Sequence, residues 1–509
     1  MILLLQDRQE YNNDLRAMIM AFYPGVKVVE DATVSESFEL TVRIWYEESH
    51  TILTVCGHGD ICDKPEDLKE VEELPFYKDV LLISTCGYRA RINLDYRDKA
   101  VFRNVLKMAA YRLLGQLNDR RLPWGDMTGV RPTKIALKHF SEGMTFDTIQ
   151  DYYKQVYAVS DKKAELATTV AQKERSLVHA IDIENSYCLY VGIPFCPSRC
   201  LYCSFTSYPI ARYQMIAENY IDTLCKELAY LADTYRNKEL VSIYIGGGTP
   251  TSISHELLDK LLTAIETEFG LQDPTRKACL KEFTVEAGRP DSITDLKLQV
   301  MKKHGVSRIS INPQTMNDDT LRTIGRAHTS AQTKDAFMLA RACGFDNINM
   351  DLIAGLPGEN LDSMRNTLNQ IKKLQPESLT VHSLAIKRAA NLKQELGRYE
   401  ESMNQDMDAM LELVSEVAKE LSMEPYYLYR QKNIGGNLEN VGYAKAGFEC
   451  LYNVLIMEEL TDIIAAGAGA STKLVFHEEN RVERVENCKS VDDYINRFEE
   501  MLDRKRRKF

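Results

Sequence analysis

The chain has 509 residues, with 63 Lys and Arg, 74 Asp and Glu, and a formal net charge of −11. At about 100–200 residues per domain it must hold more than one folding unit, and 44% apolar with 27% charged residues exclude bulk disorder and a fibrous chain. The acidic balance argues against nucleic acid as the main partner. No apolar run reaches the roughly 18 residues of a membrane span, and the opening MILLLQDRQE lacks the features of a signal peptide. A cytoplasmic protein is expected.

From the N-terminus, MILLLQ reads as a short strand and Tyr11 to Tyr23 as a helix. SFELTVRIWYEE and HTILTV alternate as strands do, DVLLISTCGY is a further strand candidate, and RDKAVFRNVLKMAAYRLLGQL is an amphipathic helix. Trp124, Gly125, Gly129 and Pro132 punctuate a loop before another helix. The polar stretch SDKKAELATTVAQKERSLVHA then bridges to a second region. An accessory α+β domain without a redox centre is expected over residues 1–180.

From Cys188 to Ile386 the runs CLYVGIP, VSIYIGGG, EFTVEAG, RISINPQ, NINMDLIAG and SLTVHSLAI alternate with helical stretches. This predicts a parallel sheet covered by helices. Six such units are too few for a closed eight-stranded barrel, so an open, partial (β/α)6 barrel is expected over residues 181–388, with ligands at the strand C-termini. Beyond 389, QDMDAMLELVSEVAKELSM is a helix and YYLYRQKNIGGNLENVGYAKAG is loop-rich. LYNVLIMEEL reads as a strand, IIAAGAGASTKL as a Gly/Ala turn, and DDYINRFEEMLDRKRRKF as a closing helix. The basic run from Arg504 to Lys508 reads as a solvated, frayed tail.

Nine of the 12 cysteines are scattered and read as small apolar residues or bystanders. Cys56, His58 and Cys62 lie close in sequence but lack a nearby second pair at zinc spacing. Cys196, Cys200 and Cys203 form a C-x3-C-x2-C set just after a strand. Three thiolates in one loop suit a soft metal or an iron–sulfur cluster, and Pro194 and Pro197 stiffen that loop. Three ligands are one short of the usual four, which leaves one iron open. Further on, GGGTPT, Gly246 to Thr251, lets backbone come close to a ligand.

Together these motifs resemble the radical S-adenosylmethionine (SAM) enzymes and, among them, the oxygen-independent coproporphyrinogen III oxidase group, over residues 186–475. The resemblance implies that Cys196, Cys200 and Cys203 hold one 4Fe–4S cluster. Its free iron would bind the amino and carboxylate groups of SAM, and reductive cleavage would give methionine and a 5′-deoxyadenosyl radical. Tyr202 matches the aromatic position against the SAM adenine, and Gly247, Gly248 and Thr249 match the motif that meets the amino group. Glu286, Gln314, Arg326, Asp351 and Ala385 match the later SAM positions, and Tyr190 another. In the best-known member several of the later positions hold a second SAM, so one or two SAM molecules are implied. Residues 389–509 look like the group's C-terminal lid module. LPWGDMTGVRPTKIA in the first domain looks like the longer HemZ-type branch.

Two departures bear on the substrate. The oxidase proper has a fourth cysteine where this chain has Phe205, and commonly a histidine where it has Gly192. The Phe205 change is shared with the haem chaperones, which keep the cluster motif and do not decarboxylate. The expected activity is oxidative decarboxylation of two propionates of coproporphyrinogen III to vinyls, giving protoporphyrinogen IX. The alternatives are a haem chaperone, or a radical SAM enzyme acting on another tetrapyrrole such as haem. An electron donor such as flavodoxin or ferredoxin is the implied protein partner. A wide apolar macrocycle with four carboxylates needs cations in its pocket. Lys387 and Arg388, after the sixth strand, are the candidates, with Arg430 second. Any one of the three taken alone reads as a solvated surface charge.

Overall fold

The computed structural model describes residues 1–31, 33, 37–47, 50–57, 72–74, 77–84, 88–92, 96–97, 99–385, 390–394, 407–430 and 438–509. These form two compact units, Met1–Ala171 with Leu428–Glu439, and Gln172–Tyr427 with Asn440–Phe509.

The first unit is built on a seven-stranded sheet. Its strands are β1 (Ile2–Leu5), β2 (Val28–Val29), β3 (Leu40–Tyr46), β4 (Thr51–Gly57), β5 (Glu72–Leu74), β6 (Tyr77–Ser84) and β7 (Tyr88–Ile92), in the order β2-β1-β3-β4-β7-β6-β5. β1 runs parallel to β2 and β3, and the other pairs are antiparallel. Alternate residues Leu40, Val42 and Ile44 of β3, with Leu53 and Val55 of β4, enter one core with Leu15, Ile19, Phe102, Val105 and Ala109. Those partners come from helices Asn12–Phe22 and Lys99–Leu117. Period two on the strands thus meets helical spacing on the helices, as the sequence implies. Cys56 is disulfide-bonded rather than a bare core thiol; His58 and Cys62 lie outside the described residues.

The second unit carries β8 (Ser186–Ile193), β9 (Phe195–Cys196), β10 (Tyr208–Pro209), β11 (Glu239–Gly247), β12 (Glu282–Gly288), β13 (Arg308–Ile311), β14 (Ile348–Ala354) and β15 (Ser378–Ser383). They are followed by β16 (Glu424–Arg430) and β17 (Glu439–Ala444), of which Leu428–Arg430 and Glu439 count with the first unit, and by β18 (Asp462–Ala466), β19 (Ser471–Phe476) and β20 (Arg481–Glu486). The large sheet is ordered β16-β17-β15-β14-β13-β12-β11-β8-β18-β19-β20. β8, β11, β12, β13, β14 and β15 pair in parallel, six strands with a helix between each and the next. This is the open, partial barrel read from the alternating pattern. Each of four crossover helices starts where the sequence supplies a cap: Ser254, Thr294, Thr329 and Asn360 accept from the amides of Leu257, Lys297, Gln332 and Ser363.

Alternation along the strands separates two faces. Leu189, Val191, Ile243, Ile245, Phe283, Val285, Ile309, Met350, Leu352, Leu379 and Val381 are all buried. The intervening residues, including Tyr190, Tyr244, Thr284, Ser310, Asn349 and Thr380, form a polar inner face whose bonds run from strand to strand. Asn349 donates to Ser310 (3.0 Å) and accepts from Thr380 (3.1 Å).

The C-terminal region departs from expectation in three places. The loop-rich stretch contains strands β16 and β17. LYNVLIMEEL, read as a strand, is a helix over Leu451–Glu458. Its first amides, Leu451 (2.7 Å) and Tyr452 (3.4 Å), donate to the buried carboxylate of Glu282, a cap no local window reveals. The basic run is not frayed. It ends the helix Phe498–Arg506, and Lys505 is fully buried against Glu227.

Candidate cluster and SAM site

After β8 the chain passes through Pro194 into β9, which pairs in parallel with β10 at Cys196 and Pro209. The rest of the cysteine loop is clamped. Leu201 N donates to Ile324 O (3.0 Å), Leu392 N to Leu201 O (2.9 Å), and Ser198 Oγ to Gly325 O (3.0 Å). Leu201 and Tyr202, between the second and third cysteines, pack against Leu321, Ile324, Ile353, Leu356, Leu384 and Leu392. That dipeptide is an apolar peg seated among segments from the strand C-termini.

The glycine motif holds the other side. Gly248 N donates to Ile193 O (2.8 Å) and Thr249 N to Phe195 O (2.7 Å), while Thr249 Oγ1 donates to Cys196 Sγ (3.5 Å). A Cβ on Gly248 would lie 2.5 Å from Phe195 O and 3.0 Å from Cys196 Sγ. Gly247 has φ +109°, in the region that favours glycine. The motif therefore lets the β11 end lie directly on the cysteine loop.

Cys196, Cys200 and Cys203 are free, and Cys200 is buried. Burial pushes the Cys196 thiol up to about 11, opposed by the Thr249 hydroxyl and reinforced by the two neighbouring thiols, so the three sulfurs share one environment. Among the described residues no group of three His, Cys, Asp or Glu side chains is placed to hold a single metal ion. Three thiols drawn from one short loop are the soft donor set that an iron–sulfur cluster takes.

The acid and amide candidates lie on neighbouring strands or just beyond them. Glu286, on β12, accepts from Tyr244 Oη (2.5 Å). Burial raises its carboxyl to about 7, with the Tyr244 bond lowering it and the nearby Asp351 charge raising it. Asp351, on β14, accepts from Asn349 Nδ2 (2.7 Å). Gln314 adopts φ +67° and is bracketed by β14: its N donates to Asp351 O (2.9 Å), and Ile353 N donates to its carbonyl (3.0 Å). Arg326 is buried and donates to Asn312 O. Burial opposes its charge, but Tyr202 and Cys200 beside it outweigh that and hold the guanidinium protonated. Ala385 follows Leu384, whose N donates to Ala354 O (3.0 Å) at the end of β14. Tyr190 stands on the inner face, its ring stacked 6.4 Å from Tyr244 and 6.3 Å from Tyr452.

Of the substrate candidates, Lys387 and Arg388 lie outside the described residues. Arg430, which taken alone reads as a solvated surface charge, is buried instead. It belongs to the first unit, is 3% exposed, donates to Met127 O (2.9 Å) and Gly129 O (3.3 Å), and lies 5.2 Å over the Trp124 ring. Nη1 thus binds backbone, and burial lowers the pKa to about 10 against the nearby Glu439 and Asp126 charges. Sequence reading missed Tyr244, Asn349 and Arg289. The first two were signalled by their place on the polar register of SIYIGGG and NINMDLIAG, whereas Arg289 acts on a loop 91 residues away and no local pattern marks it.

The Radical SAM superfamily profile matches residues 190–371. The chain is 38% identical over 417 residues, 81% of its length and 82% of the relative's, to the oxygen-independent coproporphyrinogen-III oxidase-like protein HemZ of Bacillus subtilis. It is 34% identical to the heme chaperone HemW of the same organism, over 55% of this chain and 69% of that one. The solved coproporphyrinogen III oxidase HemN of Escherichia coli shares the fold with a TM-score of 0.50 at 21% identity, covering 65% of this chain and 72% of that chain. The cofactors of such proteins, and of this one, are a 4Fe–4S cluster and SAM. A cysteine loop clamped onto a parallel barrel, with a glycine motif at one strand end and carboxylates on neighbouring strands, thus meets a match along four-fifths of the chain: this protein belongs to the radical SAM superfamily, in the group of oxygen-independent coproporphyrinogen-III oxidase-like proteins.

Proposed function

We propose that the chain is a radical SAM enzyme that oxidatively decarboxylates two propionates of coproporphyrinogen III. The observation that carries the enzymatic reading is the set of Glu286, Gln314 and Asp351 on or beside neighbouring strands, polar groups suited to gripping SAM for cleavage. The substrate rests on the likeness to HemZ, which runs through 81% of the chain. Cys196, Cys200 and Cys203 hold the cluster. Gly247, Gly248 and Thr249 bring backbone to SAM, Glu286 and Asp351 supply negative charge to it, and Tyr190, Tyr202, Arg326 and Ala385 complete the site. When bound, cluster and SAM supply the radical that removes a hydrogen from the substrate propionate. Loss of carbon dioxide and of one further electron completes a vinyl group, the electron passing to an external acceptor. Lys387 and Arg388 pair with substrate carboxylates, and a flavodoxin- or ferredoxin-like donor reduces the cluster.

A second reading, a haem carrier, is favoured by Phe205, which is 65% exposed two residues after Cys203. An anaerobic assay with reductant, SAM and coproporphyrinogen III separates them. Carbon dioxide and protoporphyrinogen support the oxidase. Stoichiometric haem binding without turnover supports the carrier, and haem-dependent SAM cleavage with a ring-opened product supports action on another tetrapyrrole.

A further inference from the structure

Arg289 follows the end of β12 and precedes Pro290, where a solvated side chain is the ordinary outcome. Instead it is 2% exposed. Its guanidinium has two faces of contact. Nε and Nη2 donate to the two oxygens of Asp291 (2.9 and 2.6 Å). Nη1 donates to Ser198 Oγ (2.6 Å) and Ser198 O (3.2 Å). Ser198 lies midway between Cys196 and Cys200, and its hydroxyl passes the chain on to Gly325 O (3.0 Å). Behind Asp291 stands His328, buried, with Nδ1 3.7 Å from Asp291 Oδ1.

A bidentate ion pair of this kind is rigid, and burial keeps its field from being screened by solvent. Its positive end faces the cysteine loop and its negative end faces away. A cluster held by three thiolates gains a further negative charge each time it accepts an electron. A fixed positive end beside it therefore favours the reduced state, by the electrostatic control that hydrogen bonds and nearby charge exert on iron–sulfur potentials.

We propose that Arg289 is a positioning residue of the cluster site: it locks the cysteine loop through Ser198 and, as the positive end of a buried ion pair aimed at that loop, favours the cluster's reduced state. The inference rests on the assignment of Cys196, Cys200 and Cys203 as cluster ligands.

The test uses the full chain, reconstituted anaerobically with iron and sulfide and titrated with dithionite and redox mediators in the absence of SAM. The reduced cluster is followed by electron paramagnetic resonance. Iron content of the parent protein and of a triple Cys196, Cys200 and Cys203 to Ala variant tests the ligand assignment separately. With a loaded parent, Arg289→Gln should make reduction at least tenfold less favourable, about 59 mV for one electron. Arg289→Lys, which keeps the charge, should stay close to the parent. Asp291→Asn removes the opposing charge and should move the potential the other way. A loosened loop alone does not produce shifts of opposite sign from the two ends of one ion pair. If Arg289→Gln fails to load, the upward shift of Asp291→Asn decides. Unchanged potentials, shifts of the same sign, or loss of iron in both variants would overturn the proposal.

Discussion

At Glu286 the strand end holds a carboxyl whose pKa lies near 7, raised first by burial and further by Asp351, against the Tyr244 bond. For an acid whose folded pKa exceeds its unfolded one, ionisation costs stability. The cost is absent below the ordinary glutamate range, grows as pH rises towards 7, and is complete above it. Ligand-free Glu286→Gln should therefore be more stable than the parent at pH 8, by about 1–3 kcal/mol, and equal to it at pH 4; urea titrations at both pH values check this. SAM is cationic, so its affinity should rise between about pH 6 and 8 in the parent as Glu286 ionises. It should be flat and about tenfold weaker at the upper pH in Glu286→Gln, as read by calorimetry. Gly248 gives a steric counterpart. Gly248→Ala places a methyl against Phe195 O and Cys196 Sγ, and moving that backbone costs about 1–3 kcal/mol. Iron per chain after reconstitution should fall well below the parent's, and retention of full iron with unchanged cluster absorbance would refute the packing argument.

Among the elements, the closing helix Phe498–Arg506 is the least expected. Lys505 donates to Glu227 and to Ala465 O (2.7 Å). Glu227 also accepts from Gly467 N (2.8 Å), Tyr494 Oη (2.5 Å) and Asn487 Nδ2 (2.8 Å). The turn after β18 is thereby fixed where a Cβ on Gly467 would come within 2.4 Å of Gly192 O, at the strand that leads into the cysteine loop. Lys505→Met leaves the Glu227 charge buried and unpaired, and should cost about 3–5 kcal/mol in urea unfolding. Adding Glu227→Gln should recover much of that loss, because the second change removes the stranded charge. The helix Leu451–Glu458 makes the same point at its N-terminus. Its amides meet Glu282, which also accepts from Ser242 Oγ (3.3 Å), so its position depends on a carboxylate from β12. Its own sequence, apolar at nearly every position, suits a strand or a helix equally well.

On the scale of the whole molecule, no helix among the described residues is long and apolar enough to cross a membrane. Leu428–Glu439 belongs to the same compact unit as Met1–Ala171. Glu439 accepts there from Trp124 Nε1 (2.6 Å) and Lys163 Nζ (2.8 Å), both buried. A fragment of residues 1–171 loses the Glu439 carboxylate that meets Trp124 and Lys163, so it should unfold at lower urea than the same fragment carrying residues 428–439 through a flexible linker. Neither should bind iron on reconstitution, and tight iron binding by the fragment would place a second centre in this unit.

The sequence by itself determined the βα alternation, the cysteine loop and the order of glycine, acid and amide motifs along the strands. These are local signals: spacing, period and cap residues act within a few positions of one another. Only the tertiary structure decided that Leu451–Glu458 is a helix, that Lys505 is buried, that Arg430 is a pin of the first unit, and that Arg289 reaches the cysteine loop. Each of these rests on a charge or a backbone group meeting a partner far away in the chain, with water excluded around the pair. Such meetings leave no period in the sequence, because they are set by which strand and helix ends the fold brings together.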